Sequence, residues 1–441
     1  MHKNTTSDSW DDDVVDGRRG ASSPKGLRKI RCEDTMSSTK TYAFDSWEDP
    51  ELNLKEKLLR GIYAMGFENP SAIQKRACYP MIYGRPMPVG KDSESGKVEI
   101  RDITAQAQSG TGKTGTFCVG TLQIIDETLN TCQAMIMAPT RELAEQICGV
   151  IKDLGVKMNI RVKLLIGGTR VDDDRVEIIE QKPQIVVGTP GRILDILKRR
   201  YLSPEHIKLM VLDEADEMLS VGFKDQIYDV FQFLRNEVQI GLFSATFSPE
   251  LKQLTEKFMR NPIEILVKSG MLTLQGISQW FVKVDNDKSK YSIMLDIFQN
   301  LTINQSIIYC NSIPRVDDLW SAMENDGFPV GKIHGGMTGS ERKQAHEDFK
   351  RGACRVLIST NMFARGIDVQ QVSVVVNFDV PKDRHTYLHR IGRSGRWGRK
   401  GTAINFATKQ DIVRIGQFER YYDTEIREMP SNYADLMRKG V

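Results

Sequence analysis

Short apolar runs alternate with longer amphipathic segments along most of the chain from about residue 53. In the first half, runs of Val, Ile, Leu and Met predict buried strands, and helical patterns lie between most of them. The predicted strands are 102–106, 133–137, 162–166, 184–187, 209–212 and 239–243, and two helices are expected before them at 54–65 and 71–82. Because strands that are apolar throughout need cover on both faces, the alternation predicts a parallel sheet between two helical layers.

The alternation pauses between about 249 and 276, in a helix and an irregular stretch, and then restarts. The second set of predicted strands is 277–284, 306–310, 331–334, 355–359, 372–378 and 402–406. We therefore expect an α/β protein with two tandem parallel-sheet domains, 41–248 and 277–441, joined by a short linker region at 249–276. Residues 83–101, rich in Gly, Pro, Ser and charge, predict a surface insertion, and the polar residues 1–40 predict a disordered tail.

Composition narrows the class of protein. A chain of 441 residues is too long for one ordinary core, and 40% hydrophobic with 27% charged residues is typical of a soluble globular protein. The net charge of +3 is small, so a polyanion would have to bind to local basic patches. Seven cysteines without a C-x-x-C pair predict reduced core thiols. No apolar run is long enough for a membrane span and no signal peptide is evident, so we expect an intracellular protein.

Residues 107–114 follow a predicted strand and open a predicted helix, and their sequence suits a phosphate-binding loop. Glycines let backbone N–H groups point at an anion, a lysine reaches terminal phosphates and a hydroxyl ligates magnesium. The usual pattern starts with glycine, so this is a small-residue variant. It favours nucleotide binding over an ordinary Gly-rich turn. The predicted nucleotide-binding residues are Ala107, Gln108, Ser109, Gly110, Thr111, Gly112, Lys113 and Thr114, with Lys113 also catalytic and Thr114 a metal ligand.

A later apolar strand ends in carboxylates, at Asp213, Glu214 and Asp216. Asp213 is placed to hold magnesium, because this hard cation takes oxygen ligands and bridges phosphates. Glu214 can orient the attacking water. The alternative is an acidic helix start, which the phosphate-binding loop makes the weaker interpretation. The hydroxyls of Ser244 and Thr246, which close the next strand, could hydrogen-bond to Asp216 and couple the nucleotide to the rest of the molecule.

Three strand ends in the first half carry groups suited to a phosphate backbone, namely Arg141, Gly168, and the set Thr189, Gly191 and Arg192. Helix N-termini, small residues and arginines make contacts that do not depend on base sequence. Each alone is more typical of an N-cap and turn. Their repetition at successive strand ends favours a nucleic-acid track, and the scarcity of aromatics argues against base stacking.

The second half contains a cluster of arginines and glycines at 387–396. Arg393 and Arg396 are predicted arginine fingers, which would neutralise transition-state charge only when the two domains close; the alternative is a basic helix end. Gly366 and Asp368 place a carboxylate beside a glycine, suited to a ribose hydroxyl or to an interdomain contact.

Taken together, these motifs resemble the DEAD-box ATP-dependent RNA helicases, from about residue 44 to the C-terminus. The resemblance implies two RecA-like domains that close on ATP and RNA. It also assigns Phe67 and Gln74 to an adenine-reading motif, in which an amide both donates and accepts. Asn311, Gly335 and Thr360 fall in motifs that face RNA in the second domain.

Within the family, the chain is most similar to translation initiation factor 4A and its exon-junction relative. Asn361 stands where the factor-4A group usually has Asp, and Gly336 where it often has Asp, so RNA-side contacts are expected to differ. Either Phe44 or Trp47 would cap adenine. Ser394 is typical of the exon-junction type and 366–371 of the initiation type, so both subgroups stay open.

The predicted function is an ATP-dependent RNA helicase that binds single-stranded RNA and unwinds short duplexes by ATP-driven closure, in translation initiation. The alternative is an ATP-gated RNA clamp that nucleates an exon-junction-type complex. A GTPase or DNA translocase is disfavoured, because no Asn-Lys-x-Asp guanine reader is present. We expect ATP and Mg²⁺ as cofactors, little RNA sequence preference, scaffold proteins of an initiation or messenger ribonucleoprotein complex as partners, a monomer, no membrane, and the cytoplasm, with the nucleus as the alternative.

Overall fold

The computed structural model describes residues 29–30, 43–84, 101–107, 110–266, 276–300, 305–361, 372–394 and 401–430. Their strands form one eight-stranded and one seven-stranded sheet. Every strand pairing within these ranges is parallel. The predicted α/β class with two parallel sheets is confirmed.

The first sheet is built from β1 (Lys29–Ile30), β2 (Ile103–Gln106), β3 (Ala134–Met137), β4 (Val162–Leu165), β5 (Ile185–Gly188), β6 (Leu209–Asp213), β7 (Gln239–Ser244) and β8 (Ile263–Leu266). Its strand order is β1-β8-β2-β7-β6-β3-β5-β4. Its helices are α1 (Glu56–Ala64), α2 (Ala72–Tyr83), α3 (Lys113–Ile124), α4 (Arg141–Leu154), α5 (Val171–Gln181), α6 (Pro190–Lys198), α7 (Ala215–Ser220), α8 (Lys224–Phe233) and α9 (Pro249–Phe258).

Alternate side chains of each strand enter different cores, as the two-residue period of a strand requires. In β3, Ala134 and Ile136 face the core formed with α1 to α4, whereas Met135 and Met137 face the core formed with α5 to α9. Both faces of the first sheet are therefore covered by helices, which explains why its strands are apolar throughout.

The second sheet contains β9 (Ile277–Lys283), β10 (Gln305–Tyr309), β11 (Val330–Ile333), β12 (Val356–Ser359), β13 (Val372–Asn377), β14 (Gly401–Ala407) and β15 (Arg427–Glu428). Its strand order is β11-β12-β10-β13-β14-β9-β15. The helices are α10 (Asp287–Asn300), α11 (Ile313–Asn325), α12 (Gly339–Lys350), α13 (Arg384–Ile391) and α14 (Lys409–Tyr422). The first two pack on one face, through Met294 and Leu319, and the last three on the other, through Phe349, Tyr387 and Phe418.

Each predicted strand is present with its ends within one residue of the expected positions, but the predicted linker needs correction. Strand β8 lies inside 249–276 and pairs with β2, and α9 enters the first core through Leu251 and Leu254. This part of the chain therefore belongs to the first domain. The Ile263 N–H donates to the Asp102 carbonyl at 2.7 Å, so residues far apart in the chain hold this strand in the sheet. A local sequence pattern does not reveal such a contact.

The two ends of the predicted insertion lie next to each other. Gly84 ends α2 in the left-handed conformation, and the Arg101 N–H donates to its carbonyl oxygen at 2.9 Å. Residues 85–100 lie outside the described chain, as does the predicted tail apart from Lys29–Ile30 and the predicted linker beyond Leu266 up to 275. None of the helices in the described ranges is long and apolar enough to span a membrane.

Candidate active site between the domains

The phosphate-binding loop connects β2 to α3, and its glycines are needed for two physical reasons. Gly110 and Gly112 have φ of +83° and +99°, a region that L side chains rarely adopt. A Cβ on Gly112 would also lie 2.7 Å from the Ser71 Oγ and 3.1 Å from the Gln74 Nε2. The loop therefore depends on glycine both for its backbone and for its close packing against α2. Gln108 and Ser109 lie outside the described residues.

Lys113, the first residue of α3, faces the carboxylates at the end of β6. Its Nζ lies 3.3 Å from the Glu214 Oε1, and both side chains are buried. Burial, and then the adjacent Glu214, raise the pKa of Asp213. Two buried carboxylates share one ammonium group at the sheet edge, and a divalent cation there would favour their ionised forms. This oxygen-rich position fits such a hard cation, with Asp213 and the Thr114 hydroxyl as available ligands.

The third carboxylate of this strand end, Asp216, connects to the other domain. The Thr246 Oγ1 donates to the Asp216 Oδ2 at 2.5 Å, whereas the Ser244 Oγ donates to the Thr246 carbonyl at 2.7 Å. Only one of the two predicted hydroxyl contacts to Asp216 is thus direct. The same Oδ2 lies 3.7 Å from the Nε2 of His389 in α13. Sequence reasoning missed His389, because a single histidine before two arginines carries no local signal of a distant carboxylate.

A cavity of about 550 Å³ opens over the phosphate-binding loop, a volume ordinary for small-ligand sites. The first domain lines it with Phe67, Gln74, Lys113 and Glu214, and the second domain contributes Arg393. Arg393 is almost completely buried, and its Nε donates to the His389 carbonyl at 3.2 Å. Predicted nucleotide residues from both domains are therefore brought to one cavity. Its polar and apolar walls, with glycines at the loop, fit a nucleoside triphosphate.

The two predicted candidates for capping adenine lie elsewhere. Phe44 and Trp47 are buried in the first core with ring centroids 5.5 Å apart, and within the described chain neither lines the cavity. Arg396, Gly366 and Asp368 lie outside the described residues.

Arg141 and Gly168 come together although they follow different strands. Arg141 opens α4, and its guanidinium packs against the turn after β4, where a Cβ on Gly168 would lie 2.7 Å from the Nη1. Gly168 also has φ of +90°. Thr189 and Gly191 lie at the start of α6, and Gly191 is exposed.

Arg192 differs from the expectation of a phosphate contact. Its side chain is only 8% exposed, pairs with the buried Asp174 and donates to the Thr169 carbonyl at 2.8 Å. A charge buried this deeply needs a partner, so the guanidinium holds the turn after Gly168 instead of facing solvent.

In the second domain, Asn311, Gly335 and Thr360 follow β10, β11 and β12, which are neighbours in the sheet. Their positions at the carboxyl ends of adjacent parallel strands bring them to one edge. The Asn311 Oδ1 accepts from the Arg390 Nη2 at 2.8 Å, and the Gly336 N–H donates to the His334 Nδ1 at 3.2 Å, which shapes the turn at Gly335. Arg390 is a buried anchor of this edge that sequence reasoning missed.

A second contact joins the domains beside these residues. The Arg342 Nη1 in α12 lies 3.3 Å from the Glu142 Oε1 in α4, with both side chains mostly buried. A Cβ on Gly339, also in α12, would lie 3.6 Å from the Arg141 Nη1. The two domains therefore meet both at the nucleotide cavity and at the edge that carries the predicted RNA residues.

Comparisons with known proteins agree with this architecture. The DEAD/DEAH box helicase family matches residues 72–254, and the helicase conserved C-terminal domain matches residues 289–398. The chain is 48% identical over 413 residues to the ATP-dependent RNA helicase eIF4A of Chaetomium globosum, covering 94% of this chain and 99% of that protein. It is 50% identical over 386 residues to the ATP-dependent RNA helicase FAL1 of Scheffersomyces stipitis, covering 88% and 92%.

Among solved structures, S. cerevisiae Dbp5 bound to RNA and ADP BeF3 is similar with a TM-score of 0.78 and 35% identity, covering 88% of this chain and 97% of that one. Identity at this level over nearly full length shows the family. The chain, with its two tandem RecA-like domains, belongs to the DEAD-box ATP-dependent RNA helicases.

Proposed function

We propose that this helicase binds ATP and Mg²⁺ in the cavity between its domains, closes on single-stranded RNA, and separates short duplexes during translation initiation. One observation carries the proposal: Arg393 of the second domain lines the same cavity as Lys113 and Glu214 of the first. Since these residues come from different domains, the hydrolytic site is complete only when the domains meet.

Each residue has a separate role. The backbone N–H groups of the loop around Gly110 and Gly112 bind phosphate oxygens, and Lys113 contacts the terminal phosphates. Thr114 and Asp213 would hold Mg²⁺, which would supply positive charge to offset the charge that develops on the phosphate during transfer. Glu214 orients the attacking water through its carboxylate, and Arg393 supplies cationic N–H groups to the reacting phosphate.

The remaining predicted residues are proposed to recognise adenine or to couple the nucleotide to domain closure. Phe67 and Gln74 read adenine, and Asp216, Ser244 and Thr246 couple the nucleotide to domain closure. Gln108, Ser109, Gly366, Asp368 and Arg396 keep their predicted roles as proposals, because they lie outside the described residues.

RNA is proposed to lie along both domains. Arg141, Gly168, Thr189 and Gly191 provide phosphate contacts on the first domain, with Arg192 bracing the Gly168 turn. Asn311, Gly335 and Thr360 provide them on the second. Such contacts ignore base identity, so little sequence preference is expected. The Dbp5 structure, which is bound to RNA and ADP BeF3, supports reading the observed interdomain contacts as those of the RNA-bound arrangement.

The similarity to eIF4A supports a role in translation initiation in the cytoplasm with scaffold proteins as partners. Ser394, which resembles the exon-junction type, keeps a second candidate, an ATP-gated RNA clamp that nucleates a ribonucleoprotein complex. The two can be separated by measuring steady-state ATP turnover and unwinding of a short RNA duplex together. A helicase turns over repeatedly and releases its strands. A clamp hydrolyses little ATP and retains RNA after washing with competitor. Single-stranded DNA in place of RNA, and GTP in place of ATP, serve as controls. Nucleotide turnover with either replacement as fast as with RNA and ATP would contradict both candidates.

The Glu142–Arg342 contact gives a prediction for closure. Glu142→Gln or Arg342→Met should weaken single-stranded RNA binding about tenfold in the presence of an ATP analogue, since either change leaves one mostly buried charge without its partner in the closed state. The double variant should lose little more than either single variant, because the same interaction is removed. Fluorescence anisotropy with labelled RNA measures all four proteins. Losses that add independently would show that the two residues do not act together.

A further inference from the structure

One face of α12 carries basic side chains toward the first domain. Arg342, Lys343, His346 and Lys350 share this face, because residues three or four positions apart lie on the same side of a helix. Arg342 crosses the domain boundary, with its Nη1 3.3 Å from the Glu142 Oε1 in α4. This face of α12 is therefore its side of the contact between the domains.

The facing side of α4 is acidic. Glu142 and Glu145 lie three residues apart in α4, so they are neighbours on one side of the helix. Burial, and then the nearby Glu142, raise the pKa of Glu145, and Lys343 of α12 opposes this rise from across the boundary. The two domains thus meet along a basic face of α12 and an acidic face of α4.

His346 is the one side chain of this basic face that can be neutral near pH 7. It follows Arg342 by one helical turn, and its Nε2 is buried without a hydrogen-bond partner among the residues that the structure describes. Burial, and then Lys350, lower the pKa of His346, whereas Glu142 and Glu347 oppose this effect more weakly. The closed arrangement therefore favours the neutral ring.

Opening the domains removes α4 from this face and exposes His346 to water, where its pKa returns to the usual value for histidine. The closed state then binds fewer protons at this position than the open state, so acid favours the open state. Glu145 has the opposite sign, because a raised pKa in the closed state means that acid favours closure. Its effect appears at lower pH, since glutamate ordinarily titrates well below histidine.

We propose that His346 is a positioning residue for domain closure: its neutral ring fits the contact between α12 and α4, and its protonation opposes that contact, so that acidification weakens nucleotide-dependent RNA binding. This inference rests on the proposed binding of RNA to the closed arrangement. It makes the pH dependence of RNA binding a property of the contact between the domains and assigns His346 no part in catalysis.

The test compares the wild-type chain with His346→Gln, which keeps a neutral polar side chain that does not titrate. Anisotropy with labelled single-stranded RNA and an ATP analogue gives the affinity of each protein at constant ionic strength. On going from about pH 7.5 to about pH 6.0, the wild type should lose up to about fourfold more affinity than His346→Gln, the limit for one histidine that is neutral only in the closed state.

Two controls isolate the contact between the domains. His206→Gln makes the same substitution at an exposed residue before the amino end of β6, away from the carboxyl edge where the domains meet, so it should keep the wild-type pH profile. Without nucleotide, the wild type and His346→Gln should have the same profile, because the domains are not held closed.

His346→Lys gives a second variant, in which the charge is permanent. With the ATP analogue at about pH 7.5 it should bind RNA at least about fivefold more weakly than His346→Gln, because closure would bury a cation beside Arg342 and Lys350. Without nucleotide it should bind RNA no more weakly than the wild type. Thermal unfolding of each variant shows whether the fold is retained.

Parallel pH profiles of the wild type and His346→Gln with the analogue would overturn the inference. So would equal affinities of His346→Lys and His346→Gln. RNA binding by the wild type that tightens in acid relative to His346→Gln would indicate a direct contact between the protonated ring and RNA, and would also overturn it. If the ATP analogue did not tighten RNA binding of the wild type at any pH, the proposed closure on RNA would fail instead, so the two failures are distinguishable.

Discussion

Arg393→Lys should reduce RNA-stimulated ATP turnover about a thousandfold, as loss of other arginine fingers does, while ATP affinity changes little. Arg393 lines the nucleotide cavity from the second domain. Lysine keeps the charge but lacks the planar fork that contacts two phosphate oxygens at once. Since charge develops on these oxygens in the transition state, the loss should appear in turnover and not in ground-state binding. The same result is expected for Arg396→Lys.

Arg427→Lys provides the control, because Arg427 is exposed and pairs with the exposed Glu425, so this change should be neutral in the same assay. Circular dichroism of each variant excludes misfolding. Near wild-type turnover in both Arg393→Lys and Arg396→Lys would refute the cross-domain site.

Lys113→Ala and Glu214→Gln should separate binding from hydrolysis. Lys113→Ala removes a ground-state phosphate contact and leaves the buried Asp213 and Glu214 without the ammonium group beside them, so ATP affinity should fall. Glu214→Gln keeps the shape of the side chain but removes its basicity. ATP should still bind, and turnover should drop about a hundredfold or more, the usual contribution of a general base.

Equilibrium binding of a fluorescent ATP analogue and single-turnover hydrolysis measure the two effects separately. Glu237→Gln is a suitable control, because Glu237 is exposed and pairs with Arg235 at the surface. An equal loss of nucleotide affinity in Lys113→Ala and Glu214→Gln would contradict the assigned roles.

The sequence predicts those parts of the site that are local in the chain. Gly110, Gly112 and Lys113 are consecutive features of one strand-to-helix turn, and Asp213 and Glu214 directly follow an apolar strand. Because parallel strands end at one edge, both motifs are expected at that edge, and the structure places Lys113 and Glu214 there, 3.3 Å apart.

Contacts that join distant segments of the chain cannot be predicted from local sequence patterns. Neither His389 beside Asp216 nor Arg342 beside Glu142 could be expected, since both pairs depend on how two separately folded domains face each other. Arginines are a particular difficulty. The pattern that predicts Arg192 as a phosphate contact is the same whether its guanidinium points outward or pairs with Asp174.

Strand β8 is a part of the fold that the local sequence does not predict. Its apolar residues are few and follow Asn261 and Pro262, so the local pattern resembles a loop. The strand exists because β2 offers an edge for pairing and because Asp102 binds backbone N–H groups of Ile240 and Arg260 on either side. Such support comes from tertiary structure, and it can override a weak local preference.

The most direct test of the closure model is the affinity for labelled single-stranded RNA, measured by anisotropy with an ATP analogue, with ADP and without nucleotide. Binding should be at least about tenfold tighter with the analogue, since phosphate contacts from both domains align only when Arg393 has reached the nucleotide cavity. The affinity should fall as salt rises and differ little between RNA sequences. RNA affinity that is the same in all three nucleotide states would contradict the account.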